Sequence, residues 1–259
     1  MAGSRDFTFL RRPRWLAAHV VALTAILVFV GLGMWQLRRH DERSDLNSRI
    51  EDRIAASPAD LSSLLTATDD VASLEYRRAS VLGEYLVDEE VILQARSLDG
   101  VSGHHVLTPM ALSDGTAVIV DRGWVPIDVA GPPVPVATPP TGPATVTGVI
   151  RLTQKRGSLG PVDPPTGTLE RVSRVDLDRL QQQMSRELAP VFLDLSEQSP
   201  PQTGLPRVLP PPETDTGPHL SYAVQWFVFA GVVLISYPVL MVRTAAQAGR
   251  RRKSDTLHT

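Results

Sequence analysis

Imidazoles and large aromatic rings are the side chains here best suited to hold a metal or a macrocycle, and one stretch brings them together. His219, Tyr222, Trp226 and Phe229 follow one another at steps of three, four and three. On an α-helix that spacing puts them on one narrow face. Neutral imidazole is a standard axial donor to haem iron, and the rings below it could pack against a flat macrocycle. The same residues also fit an interfacial aromatic belt at the mouth of a membrane helix, with no ligand. Spacing alone leaves both readings open.

The other candidates carry less. His104 and His105 are adjacent, and on a strand neighbouring side chains point to opposite faces. The expectation is two solvated histidines, not a shared metal site. His19 lies within an apolar run, one turn from its basic end, where an imidazole can reach lipid headgroups. Asp121 and Arg122 in VDRGWVP suit a strand end and a tight turn at Gly123, but Asp121 has no visible partner for acid chemistry. Arg122 and Trp124 alternate onto the same strand face, so a packed cation–π pair is expected to support the fold. No G-x-S-x-G, H-E-x-x-H, Walker loop or paired-glycine nucleotide fingerprint occurs, so an enzymatic reading finds no support. With no cysteine in the chain, disulfides, thiolate metal sites, iron–sulfur clusters and c-type haem attachment are excluded. Copper delivery is disfavoured for the same reason, since there is no methionine-rich cluster either. A net charge of −2 gives no basic face for nucleic acid.

Two apolar runs position the leading candidate. Tyr222 to Val242 has about the length needed to cross a ~30 Å hydrocarbon layer as a helix, and so does Trp15 to Trp35. The first run follows a basic segment and competes with a signal peptide, but it is long for one and lacks a small-residue cleavage site, which favours a retained anchor. After the second run come Arg243, Arg250, Arg251, Arg252 and Lys253, against Arg207 alone before it. The positive-inside rule then puts both termini in the cytoplasm and the middle outside it. The expected layout is a cytoplasmic tail over 1–14, transmembrane helices over 15–36 and 219–242, an extracytoplasmic domain over 37–218 and a basic cytoplasmic tail over 243–259.

The middle opens with a charged helical continuation from Gln36 to Ala56, in which Leu46, Ile50 and Ile54 predict a docked face. From Tyr76 the period becomes that of strands: Arg77 to Tyr85, Glu90 to Arg96, His104 to Pro109, Ala117 to Val125, Thr145 to Leu152 and Val191 to Leu195. Few helices intervene, so antiparallel pairing is expected. Asp176 to Leu188 reads as a helix with Leu177, Leu180, Met184 and Leu188 on one side. Gly131 to Pro143 and Ser199 to Pro218 hold much of the proline and read as extended linkers, the second a tether to the membrane. The fold class expected is a membrane protein with two transmembrane α-helices flanking a mainly β, antiparallel extracytoplasmic domain.

With these residues placed, the sequence resembles the Surfeit locus protein 1 family, the Shy-type cytochrome c oxidase assembly factors. The family's G-x-W-Q-x-x-R at the exit of the first span matches Gly33, Trp35, Gln36 and Arg39. Its tyrosine–arginine pair leading to Gly-x-Tyr matches Tyr76, Arg77, Gly83 and Tyr85. G-x-H-x-x-T-P and V-x-R-G-W-V-P match Gly103, His105, Thr108, Pro109 and then Val120, Arg122, Gly123, Trp124, Val125 and Pro126. H-L-x-Y-A-x-x-W-F matches His219, Leu220, Tyr222, Ala223, Trp226 and Phe227. The blocks occur in the family's order over nearly the whole chain. Two departures stand out: Asp-Thr-Gly-Pro precedes His219 where the family carries an asparagine, and tryptophans usual before Asp176 are missing.

The resemblance implies a bacterial, non-enzymatic, multi-pass plasma-membrane factor in the biogenesis of aa3-type haem-copper oxidases. It implies haem a as a transient cofactor with His219 as the iron ligand and Tyr222 and Trp226 beside it. It also implies oxidase subunit I and the haem a synthesis machinery as partners, within membrane lipid. The competing reading is a scaffold that stabilises an oxidase assembly intermediate through its β domain without carrying haem.

Overall fold

The computed structural model describes residues 7–212 and 214–255. Of the expected cytoplasmic tails, residues 1–6 and 256–259 lie outside the described residues, as do the side chains of Arg250, Arg251, Arg252 and Lys253. In chain order the elements are α1 (Pro13–Ala55), β1 (Ala59–Asp60), α2 (Leu61–Thr66), β2 (Arg78–Tyr85), β3 (Val91–Leu98), β4 (Val101–Leu112), β5 (Ala117–Pro126), β6 (Ala144–Leu152), β7 (Arg171–Val172), α3 (Leu177–Gln181), β8 (Leu188–Ser199) and α4 (His219–Asp255). They form two compact units, residues 7–48 with 214–255, and residues 49–212.

The helical unit pairs α1 with α4. Pro13 suits the first position of α1, where its missing N–H is no loss, and the helix stops at Ala55, ahead of Ser57 and Pro58. Pro218 likewise precedes α4, and its carbonyl accepts the first α4 hydrogen bond, from Tyr222 N at 3.1 Å. Small residues form the buried stripe between the helices: Ala22 on α1 and Ala223, Ala230 and Ala245 on α4. Small side chains let helix backbones approach closely where no water drives association. The outward faces carry exposed Val, Leu and Ile, and the most apolar 18-residue windows of the two helices are only 11% and 6% buried. That separates them from the core helices of a soluble protein, and both are long and apolar enough to cross a membrane. The charged second half of α1 continues the helix as expected. Of the residues expected to dock, Leu46 is exposed and Ile50 is buried.

The β unit is a sheet that closes on itself. β2 pairs with β6, β6 with β8, β8 with β5 and β5 with β4, and the last three residues of β4 return to β2 through Tyr85↔Met110. β3, with β7 beyond it, adds to the other half of β4, and β1 adds to β2. Inside, Val81, Met110, Val118, Val120, Val146, Ile150, Val191 and Leu193 fill the core. They come from alternate positions of their strands, the period-2 pattern that places one face inward. A second cluster covers the outer face, where Leu177 and Leu180 of α3 pack with Val91, Leu107, Ile119 and Phe192.

Four expectations change here. The β5–β8 pairing at the centre is parallel, as are two edge pairings, because 61 residues that include β6 and α3 intervene and return the chain in the same direction. The helix expected over Asp176 to Leu188 is only Leu177–Gln181; Met184 and Leu188 still pack with Leu177 and Leu180, but as turn and strand. Gly131 to Pro143 is no free linker. Val134 and Ala137 are buried against Ile92, Val106 and Val125, since a proline-rich chain still buries the apolar residues between its prolines. The stretch from Ser199 is fastened as well: Arg207 bridges to Trp124 with N···O distances of 2.8 Å in both directions.

Candidate functional site

Polar residues collect in three places, two in the β unit and one in the helical unit. The first follows from alternation on β5. Val118, Val120 and Arg122 share the inward face, so Arg122 enters the closed sheet and is completely buried. Its Nη1 donates to the carbonyl of Ala137 at 2.6 Å and lies 3.5 Å from Glu90 Oε2, and its Nη2 donates to Gln202 Oε1 at 2.8 Å. Glu90 also accepts from Thr108 Oγ1 and Val134 N, each at 2.8 Å. The guanidinium lies over the ring of Tyr85, 5.2 Å from its centroid, and the Tyr85 hydroxyl donates to Gln198. The cation–π partner of Arg122 is thus Tyr85 across the sheet and not Trp124 on its own strand. Burial pushes the Glu90 carboxyl up and the Tyr85 phenol up to about 12, and pulls the Arg122 guanidinium down. Gly123 allows the next step: it has φ +120°, and a Cβ there would stand 2.1 Å from the carbonyl oxygen of Arg207.

The second place is the opposite face of the same strand. Asp121, beside Ile119, points outward and is buried, and it accepts a hydrogen bond from His105 Nδ1–H at 2.7 Å and from Gly123 N at 3.0 Å. Asp121 therefore has the partner that its sequence context hides, but the expected strand end and tight turn are not there: Gly123 lies within β5, which runs on to Pro126. Asp194 on β8 pairs in register with Asp121, and burial together with the facing carboxylate pushes Asp194 up. Arg151 lies 3.7 Å from Asp194 and stacks on Tyr76, a residue held at φ +67°. These side chains border a pocket of about 110 Å³. His104 points the other way and accepts from Arg171 Nη1 at 3.2 Å; burial lowers its pKa, with Arg171 adding to the effect. Both histidines are buried rather than solvated, because strand β4 is covered on both faces. They diverge as the strand period requires.

The third place is the start of α4. His219 is half-buried, and its Nδ1 lies 2.8 Å from Oε1 of Gln36 on α1. Asp215 Oδ1 accepts from Gly217 N at 2.8 Å, a turn that a preceding asparagine could make equally. The Gly217 Cα lies beside the other edge of the imidazole, where a Cβ would stand 3.7 Å from Nε2. One turn on, Tyr222 is exposed, whereas Trp226 stacks on Phe29 of α1 at 5.7 Å and meets Phe229 edge-on. Gly33 is the notch in α1 that admits Phe227, whose ring would come within 2.8 Å of a Cβ there. Trp35 is exposed, and Arg39 forms an exposed pair with Glu42 at 2.9 Å. His19 is held by Tyr237 at 2.5 Å, so its partner is a tyrosine of the facing helix.

The structure thus gathers Gly33, Gln36, His219 and Trp226 in the helical unit, and Tyr85, Thr108 and Arg122 in the β unit. Tyr76 and Arg77 lead into β2, where Tyr76 N donates to Ile150 O and Arg77 O accepts from Ile150 N. Sequence reading missed Glu90, Asp194 and Gln202. Asp194 interrupts the apolar run of β8, and that was the available signal; Glu90 ends an acidic segment just before β3 and gave none.

Known proteins match this sequence along most of its length. The SURF1 family profile matches residues 23–231. A SURF1-like protein of Mycobacterium tuberculosis is 32% identical over 249 residues, covering 93% of this chain and 90% of that protein. Surfeit locus protein 1 of Rattus norvegicus is 28% identical over 216 residues, 76% of this chain and 67% of that protein, and a SURF1-like protein of Monosiga brevicollis is 27% identical over 240 residues, 88% of this chain and 89% of the relative. The profile takes in both helices and the closed sheet between them, and the chain belongs to the SURF1 family.

Proposed function

We propose that this protein is a non-enzymatic assembly factor for an aa3-type cytochrome c oxidase of the plasma membrane, holding haem a at His219 on its way to oxidase subunit I. The observation that carries the reading is the imidazole at the start of α4, with Gln36 Oε1 on Nδ1 and Gly217 beside the Nε2 edge. The donor set suits the group: a neutral imidazole is a haem ligand, and Tyr222 offers an exposed ring one turn below it. In this reading both termini are cytoplasmic and the β unit faces the other side.

Haem, when bound, supplies an iron centre destined for electron transfer and oxygen chemistry elsewhere. This chain's own residues have a simpler task. His219 would present one nitrogen, and the exposed apolar surface of α4 would keep a hydrophobic macrocycle at the edge of the bilayer. Holding a cargo by one bond favours handing it on. The supporting experiment is an optical spectrum of the detergent-purified protein, co-produced with haem a synthesis, for wild type and His219→Ala. A haem a band present in wild type and absent from the folded variant is expected; equal bands in both would place haem elsewhere.

A second reading has its own observation. Trp226 and Phe229 already pack with Phe29, and His219 already has Gln36, an arrangement that also serves a scaffold without cargo. Colourless wild-type protein from haem a-producing cells would favour the scaffold.

A further inference from the structure

Gln36 and His219 meet through an oxygen. The amide Oε1 of Gln36 lies 2.8 Å from His219 Nδ1, and an amide oxygen can only accept. The imidazole must therefore donate, which puts its proton on Nδ1. A neutral imidazole carries one N–H, so Nε2 is left with a bare lone pair. The side on which Nε2 lies is bordered by Gly217, where a Cβ would stand 3.6 Å from Cδ2 and 3.7 Å from Nε2 and any larger side chain would continue over that edge.

We infer that Gln36 is a positioning residue: it selects the Nδ1–H tautomer of His219 and turns the ring so that Nε2 faces outward as a donor atom for iron. The partner on the second ring nitrogen fixes both tautomer and orientation of a ligating histidine in metal sites generally. Gln36 supplies that partner from the facing helix, and Gly33, one turn earlier, seats Phe227 and so sets the distance between the helices at this level. Only the identity of the metal rests on the haem reading; the tautomer does not.

The test is nitrogen NMR of full-length protein, labelled with 15N-histidine, free of haem, in lipid nanodiscs at about pH 8, where an ordinary imidazole is neutral. The His219 signals are identified by their loss in His219→Ala. Wild type is expected to show a protonated Nδ1 and a pyridine-type Nε2. Gln36→Leu, which has no acceptor, is expected to lose that preference, and Gln36→Glu, which keeps one, to retain it. A wild-type His219 protonated on Nε2, or one whose tautomer is unchanged in folded Gln36→Leu, overturns the inference, and the wild-type spectrum decides the point even if Gln36→Leu fails to fold. With haem a added, Gln36→Leu should bind about 10–100-fold more weakly and Gln36→Glu near wild type. If the tautomer behaves as expected but wild type binds no haem, the role of Gln36 stands and the haem reading falls.

Discussion

Arg122 and His219 are both family-motif residues with a nitrogen base or cation at least half withdrawn from solvent, yet their surroundings differ in kind. Around Arg122 the partners face one another inside the sheet, Ala137 O, Gln202, Glu90 and the Tyr85 ring, and only the buried Nε is left without a hydrogen bond. Around His219 one nitrogen has Gln36, and Gly217 lies beside the other. A set in which side chains mainly answer one another stabilises what it holds, and the one donor it leaves over, Arg122 Nε, is buried. An open valence at the end of a helix contributes little to the fold and is available to something else. A motif match gives the two residues equal weight; their partners separate them.

The comparison breaks most visibly at Arg122. Arg122→Met leaves Glu90 buried without its counter-charge and should cost about 3–5 kcal/mol, read as a lower denaturation midpoint of the full-length protein. Adding Glu90→Gln should recover a substantial part, and failure to do so would mean that the ion pair is not what holds this end of the sheet. Gly123→Ala comes next, at about 1–3 kcal/mol by the same measurement, because its Cβ would meet the carbonyl of Arg207 in a left-handed conformation. His219→Ala should lie within about 0.5–1 kcal/mol of wild type while removing the haem a band, so a large loss of stability there would erase the contrast.

Asp194 sharpens the comparison through pH. Burial and the facing Asp121 carboxylate push its folded carboxyl up to about 7, from an ordinary value of about 4, so between those values the folded chain binds more protons than the unfolded one. Stability should therefore fall as pH rises from about 4 to 7, and Asp194→Asn should flatten that slope in denaturant titrations at stepped pH. Smallest of all is Arg39→Ala, whose exposed pair with Glu42 is worth less than about 0.5 kcal/mol. The same unfolding series should show no resolved change.

Much of this was legible in the sequence for a local reason. The two long helices follow from unbroken apolar runs, and six strands follow from period-2 alternation, with their ends displaced by a few residues. What stayed hidden depends on pairing between distant segments. His105 and Asp121 are 16 residues apart and meet because β4 and β5 pair with an irregularity between His105 and Leu107. The parallel seam of β5 and β8 is invisible without knowing which strands adjoin. The proline-rich stretch 131–143 looked like a linker because composition records prolines, whereas its function in the fold rests on Val134 and Ala137, two apolar side chains at the right turn of a short 3-10 segment. Of the helical site, His219 and its aromatic neighbours were readable from helical spacing, but the meeting of His219 with Gln36 was not, since it requires the register between two helices.

The contact between Gln36 and His219 joins positions 183 residues apart. A ribosome makes Gln36 long before His219, so the ring cannot be oriented until α4 has been made. A chain released before α4 would have an anchor and a folded sheet, and no aimed imidazole. Cargo binding of the proposed kind would thus wait for α4 to pack on α1.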